Sequence, residues 1–299
     1  LARVRKAEMR QEVSGLALLL LLLLPGSPVA AQGDIAARRP ARPDVALRIY
    51  CPSGTLRVIG WTKDSVAVSG YMDPSLGRFF IGGTGEGMKL GIETPETDAT
   101  GTAVLDVSVP RRARVWIKTA NADVEVNAVT GTVDVFTVSG HTRVAGSPSV
   151  VSAESLDGNI ELAVESPSAR ARTGSGVIVF RGVISEASAS SVSGPLFIGM
   201  EGKISRARFE TVSGEIAFKG DLDPDGTLEA ESHSGNIELR LPEKLGATYS
   251  LAGYAGHLST EFRGIPPAPA KGEWRFTVGT GQASVTVRTF KGKVELKKK

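Results

Sequence analysis

Thr137-Val138-Ser139-Gly140-His141-Thr142-Arg143-Val144 returns eighteen residues later as Ser155-Leu156-Asp157-Gly158-Asn159-Ile160-Glu161-Leu162. It returns again as Thr173-Gly174-Ser175-Gly176-Val177-Ile178-Val179-Phe180 and as Ser191-Val192-Ser193-Gly194-Pro195-Leu196-Phe197-Ile198. Upstream lies Thr119-Ala120-Asn121-Ala122-Asp123-Val124-Glu125-Val126. The turn position thus advances in steps of 18 through 122, 140, 158, 176 and 194, then in steps of 20, 21 and 21 to Gly214, Gly235 and Gly256. A short fixed period of this kind marks a solenoid.

Within each unit the residues two and four after the turn are apolar, as in Ile160 and Leu162 or Ile178 and Phe180. The residue five before it is apolar too, as in Ile117, Val135 and Phe209. Charged residues such as Glu125, Arg143 and Glu161 fill the alternate positions. Spacing of two along a chain is one face of a β-strand, so each unit reads as two strands meeting at a tight turn. The turn glycine permits positive φ or close backbone approach. The predicted fold is all-β: a single-stranded parallel β-helix, right-handed by the rule for parallel connections, with rungs of 18–21 residues. A prism-like or sandwich fold of the same hairpins is the alternative. A Ser/Thr column three before the turn (Thr119, Thr137, Ser155, Thr173, Ser191, Thr211, Ser232) points inward by parity. Stacked hydroxyls suit hydrogen bonding at a bend. With no GxSxG and no base beside any of them, they do not read as nucleophiles.

Residues 1–31 have the order of a secretory signal peptide: Arg3, Arg5, Lys6 and Arg10, the apolar run Leu16 to Leu24, then Val29-Ala30-Ala31 before Gln32. Met9 is an alternative start to Leu1. The run is short for a transmembrane helix, so no integral membrane span is expected after cleavage. Four bases and two acids (Glu8, Glu12) leave with that segment, so the formal charge falls from +3 to +1. That balance gives no footprint for nucleic acid. Arg111-Arg112-Ala113-Arg114 reads as solvated loop charge, and Lys297-Lys298-Lys299 as a tail guarding an exposed strand edge. Residues 32–44 read as a flexible linker and 45–299 as one β-solenoid domain. Tyr71 to Thr100 breaks the rhythm, and Phe79 to Leu90 reads as a hairpin with a glycine tip. The single cysteine, Cys51, occupies the inward Ser/Thr slot of Leu47 to Val58 and reads as a buried, inert thiol.

Gly54-Thr55-Leu56-Arg57-Val58-Ile59-Gly60-Trp61, then Asp64-Ser65-Val66-Ala67-Val68, then Leu105-Asp106-Val107-Ser108-Val109-Pro110 lead into the train of Thr-Val-Ser-Gly units. In this order the chain resembles, over roughly 45–297, the exported bacterial "putative adhesin" domain family, β-solenoid relatives of the head-GIN domains. The resemblance implies an exported, non-enzymatic protein of the cell envelope or surface, periplasmic or extracellular. Its role would be a binding scaffold for an envelope glycan or protein. It brings no catalytic or binding residues to carry over. The alternatives are a polysaccharide-acting β-helix enzyme and an envelope structural or signalling partner.

Three features bear on chemistry. Asp221, Asp223 and Asp225 match the first half of a calcium loop, but position twelve is Ser232 rather than a bidentate Glu, which leaves a weak metal candidate. His141, His233 and His257 are spaced as surface residues, and the acids are scattered as outward alternates, so no cofactor or catalytic residue is expected. The outward position three after the turn becomes Val179, Phe197 and Ala217 in successive units, with Val177 and Pro195 beside them. That strip is a candidate for partner contact or self-association, unless the 71–100 segment covers it.

Overall fold

A computed structural model describes residues 33–94, 100–269 and 272–299. The expected signal segment 1–31 lies outside the described residues. From Arg114 onward the repeat becomes a stack of parallel strands whose register follows the sequence period. Ile160 pairs with Ile178, Ile178 with Leu196, Leu196 with Ile216 and Ile216 with Ile237. Each rung places one strand before the glycine corner and one after it, which builds two walls of a β-solenoid. The alternation reads directly in burial: along Ile160–Thr173 inward side chains such as Leu162, Val164 and Ala171 are buried while Glu165 and Arg172 are exposed. The longer steps are absorbed opposite the glycine corner: the step of 20 at the register shift between Gly182 and Glu186, and the step of 21 at those between Gly199 and Lys203 and between Ile204 and Arg206.

The corner is held by backbone contact. A Cβ built on Gly158, Gly176, Gly194, Gly214 or Gly235 would lie 1.8–2.2 Å from the carbonyl oxygen of the glycine one rung earlier. Of this ladder from Gly140 to Gly235 only Gly140 has positive φ (98°). The glycines are therefore required by close approach and not by the left-handed conformation. The Ser/Thr column completes the corner. Gly176 N–H donates to Thr173 Oγ1 at 3.1 Å, Gly194 N–H to Ser191 Oγ at 2.8 Å and Gly235 N–H to Ser232 Oγ at 2.8 Å. Thr173 Oγ1 in turn donates to Gly158 O at 3.1 Å, linking rungs. These hydroxyls satisfy buried backbone groups that the bend would otherwise orphan.

Both ends depart from chain order. At the C-terminal end, Ala283–Thr289 lies between the 227–232 segment and Ala247–Gly253. Likewise Val294–Lys298 lies between Ile237–Leu241 and Leu258–Thr260. The glycine ladder runs Gly235, Gly292, Gly256: a Cβ on Gly292 would meet Gly235 O at 1.9 Å, and one on Gly256 would meet Gly292 O at 1.7 Å. The step from Gly235 to Gly256 is thus a step in sequence and not in space. Thr289-Phe290-Lys291-Gly292 carries the full Ser/Thr-x-x-Gly corner, with Gly292 N–H on Thr289 Oγ1 at 3.0 Å. Gly253-Tyr254-Ala255-Gly256 has no hydroxyl in that slot and takes the outer position. Lys297 lies 2.6 Å from Glu238 and 2.8 Å from Glu295, and because Leu258–Thr260 pairs only with Val294–Leu296, Lys297 and Lys298 are strand-paired on the Ile237–Leu241 side alone.

The N-terminal end mirrors this. Ala46–Trp61 inserts between Arg114–Asn127 on one side and Gly87–Glu93 with Ala103–Pro110 on the other. Antiparallel strands then close each end: Arg78–Gly83 on Gly87–Glu93, Ser65–Met72 on Ala103–Pro110, and Glu273–Thr277 on Ala247–Gly253. The expected hairpin at 79–90 is present. The expected linker at 32–44 is replaced by a strand, Asp34–Pro40, paired antiparallel with Ser65–Met72. Ile35 is buried there, which supplies the apolar contact that a linker would lack. At the opposite end Tyr249 stacks on Phe276 (4.9 Å between centroids) and meets Phe262 edge-on, filling the last layer of core.

Gly194→Ala is expected to cost about 1–3 kcal/mol, because an added methyl with no space must displace backbone. Gly82→Ala, where a Cβ meets nothing within 4 Å, should leave the melting temperature unchanged or raise it. Thermal denaturation of the two variants side by side checks the claim; an unchanged Tm for Gly194→Ala would remove it.

Candidate functional site

Because cores and corners are committed to packing, recognition is left to the outer faces. The wall before the glycine corner is the richer one. Outward residues of its first strands align in columns across the sheet. Gly82 opposes Lys89, Lys89 opposes Arg48, Arg48 opposes Trp116, and Trp116 opposes Asp134. Beside this column run Gly87, Ala46, Arg114 and Thr132. Small residues at Gly82, Gly83, Gly87 and Ala46 sink the surface, while Phe80, Trp116, Arg48, Lys89 and Arg114 stand around it. The result is an open bowl of about 880 Å³. Its aromatic side continues through Tyr50, edge-on to Trp116 at 5.6 Å, and Phe136, also 5.6 Å from Trp116. The Arg48 guanidinium lies over the Trp116 ring at 6.0 Å.

The bowl's charges are unpaired. Several other outward charges join across rungs, as in Arg143–Glu161 (2.7 Å), Arg208–Glu229 (3.1 Å) and Arg288–Glu231 (2.8 Å). Among the described residues Arg48, Lys89 and Arg114 reach no carboxylate, although Arg48 and Lys89 are register partners. Like charges directly opposite one another weaken a sheet. Asp134 has neither hydrogen bond nor ion pair among the described residues. Burial, reinforced by the nearby Glu154, raises its pKa.

Farther along the same wall, the residues two before the glycines form an exposed column at the corner: Val138 and Leu156, then, past Gly174, Val192, Val212, His233, Phe290 and Tyr254. Leu156 is 60% exposed, Val192 57% and Tyr254 63%. His233 stacks flat on Phe290 (5.2 Å, 11°), and Tyr254 lies 6.2 Å beyond. The column borders a groove of about 710 Å³ whose other side carries Glu154, Arg172, Glu210, Glu231 and Arg288.

The strip read from sequence lies on the opposite wall. Val179, Phe197 and Ala217 are register partners, with Val177 and Pro195 beside them at the corner. Phe197 is 41% exposed, and the 78–93 hairpin that could have covered it sits on the N-terminal rungs instead. Asp221, Asp223 and Asp225 lie within the strand Ile216–Ser232, and Asp221 accepts from Leu222 N–H at 2.8 Å. Among the described residues no three His, Cys, Asp or Glu side chains gather to hold a metal ion. Cys51 is buried opposite Thr119 in the hydroxyl column, and burial pushes its thiol up to about 11 against a weaker pull from its hydrogen bond to Ser53. The thiol therefore stays protonated and inert near neutral pH.

No protein-family model and no curated protein matches this sequence. The fold has solved counterparts. A putative adhesin from Parabacteroides merdae is 10% identical over 89% of this chain and 97% of its own, with a TM-score of 0.54. A putative adhesin from Bacteroides fragilis is also 10% identical over 89% of this chain and 98% of its own, at a TM-score of 0.46. The first of these establishes a shared fold.

The raised pKa of Asp134 gives a test of the site's cost. Ionised Asp134 opposes folding above its raised pKa and has no such effect below the unfolded value near about 4. Asp134→Asn should therefore raise Tm at pH 7, with the gain fading as pH falls through the raised value and gone by about 4. A loss of stability at pH 7 would show instead that the carboxylate is a structural partner.

Proposed function

We propose that this protein is a non-enzymatic, exported binding scaffold of the cell envelope or surface. The observation that carries the reading is the corner column: from Val192 through Val212, His233 and Phe290 to Tyr254, apolar and aromatic side chains stand exposed rung after rung beside a charged groove. Contiguous exposed apolar surface of this length marks an interaction site, whereas scattered exposed side chains do not. The signal-like segment 1–31 and the fold shared with the Parabacteroides protein support export and adhesion. Against an enzyme stands the arrangement of the acids. Glu161, Glu229 and Glu231 on these walls are tied to arginines of neighbouring rungs, which suits structural partners and not an acid or base. The strip Val177, Val179, Pro195, Phe197 and Ala217 serves as a second contact surface, for self-association.

The two surfaces separate in one set of variants. Leu156→Glu with Val192→Glu should abolish retention of the purified protein on envelope preparations while moving stability by no more than about 0.5 kcal/mol, since both side chains are exposed. Phe197→Glu should leave retention intact and shift sedimentation toward the monomer. Retention unchanged by the double variant, or release of reducing ends from envelope polysaccharide, would overturn the reading.

A further inference from the structure

We infer that the bowl walled by Arg48, Lys89, Arg114, Trp116 and Phe80 is a binding site for an acidic saccharide. This rests on the binding-scaffold reading and assigns it a ligand class.

The first observation is the glycines. Gly82 and Gly87 sit in paired strand positions, neither has positive φ, and a Cβ on either would meet nothing within 4 Å. Neither packing nor backbone conformation requires glycine there, and glycine inside a strand costs stability. What the missing side chains do is keep the floor of the bowl open. The corner glycines, by contrast, are all accounted for by contact with the preceding rung.

The second observation is charge. Three cations line one depression without an ion pair among the described residues, two of them directly opposite each other on neighbouring strands. An anionic ligand removes that repulsion. The third is the pair formed by Trp116 and Asp134 on adjacent strands. The half-buried indole offers a flat apolar face, and the free carboxylate accepts hydrogen bonds. A ligand that satisfies all of these brings an anion, an apolar ring face and a hydroxyl donor within one small body. A hexuronic acid does so: its carboxylate meets Arg48 and Lys89, its C–H face lies against Trp116, and a hydroxyl donates to Asp134. From Lys89 to Asp134 the column spans three strand intervals, about 14 Å at ~4.8 Å each, room for two or three sugar rings.

The test is titration calorimetry of the folded protein with trigalacturonate, its methyl ester, citrate and AMP at low and moderate salt. Trigalacturonate should bind saturably, weaken with salt, and outbind the other three by at least tenfold. Arg48→Ala and Lys89→Ala should each weaken it about tenfold, the loss expected for one charge-assisted hydrogen bond. Gly82→Val should abolish binding without lowering Tm, because it fills the bowl from a position with open space. No saturable binding, equal binding of citrate or the ester, tighter binding of AMP, or full binding by folded Gly82→Val would each overturn the assignment. The corner variants Leu156→Glu and Val192→Glu keep the bowl and should bind trigalacturonate normally. Loss of the uronate signal with envelope retention intact therefore removes the ligand and spares the scaffold.

Discussion

Contact between backbones at the glycine corner is the constraint from which the rest of the molecule follows. From Gly140 onward each corner Cα rests against the carbonyl of the rung before it, nothing larger than hydrogen fits, and the two walls are drawn in at the same place; Ala122 holds the slot one rung earlier. From Gly158 to Gly235 the hydroxyl three residues earlier then accepts from the glycine N–H, whereas Thr137 donates to Ser139 O and Thr119 finds no partner among the described residues. That fixes which residues point inward, and alternation does the remainder. The inward columns fill with Ile, Leu, Val and Phe at 0–3% exposure, and the outward columns are released from any packing duty. A surface so released is free to carry whatever recognition requires.

Between Thr119 and Gly235 the sequence and the structure agree residue by residue, because each rung's pairing partner is also its neighbour in the chain. The column at the position after the glycine shows how far this goes. Asp123 accepts from His141 N–H and Asn159 from Val177 N–H. Pro195 has no N–H to give, and the residue before it in the column, Val177, has no side-chain acceptor. Legibility ends where chain order and spatial order part. Gly256 follows Gly235 in sequence, yet Gly292 lies between them. The clue was present in Thr289, a hydroxyl three before a glycine, and in its absence at Gly253. The strand at Asp34–Pro40 was hidden by arginines and prolines that suit an outermost edge as well as a linker.

The bowl was invisible for the same reason. Its residues come from 46–48, 80–89, 114–116 and 132–134, and the 80–89 segment lies in space on the far side of 46–48 from 114–116. No spacing in the chain announces that Lys89 and Arg48 will be opposite each other. The corner column, by contrast, was available in the repeat all along: Val138, Leu156, Val192 and Val212 occupy one register position. Its exposure became evident only with the side of the turn on which that position falls. The strip centred on Phe197 was found because it interrupts a charged column, a signal that periodic sequences make easy to see.

The inserted end rungs bear on how the chain reaches this state. In an ordinary repeat array each unit can dock on the one before as it is made, and structure spreads from any starting point. Here the outer rung at the C-terminal end, 247–260, has no direct partner in 227–241; it waits for 283–298 to arrive and occupy the gap. The segment 283–298, made after the rung it slips beneath, is thus the one that joins that rung to the body. Until then the apolar core at 237–241 stays open on one side. Completion of this end of the fold is deferred until 283–298 has been made and docked, and a chain interrupted before it is held short of its native form.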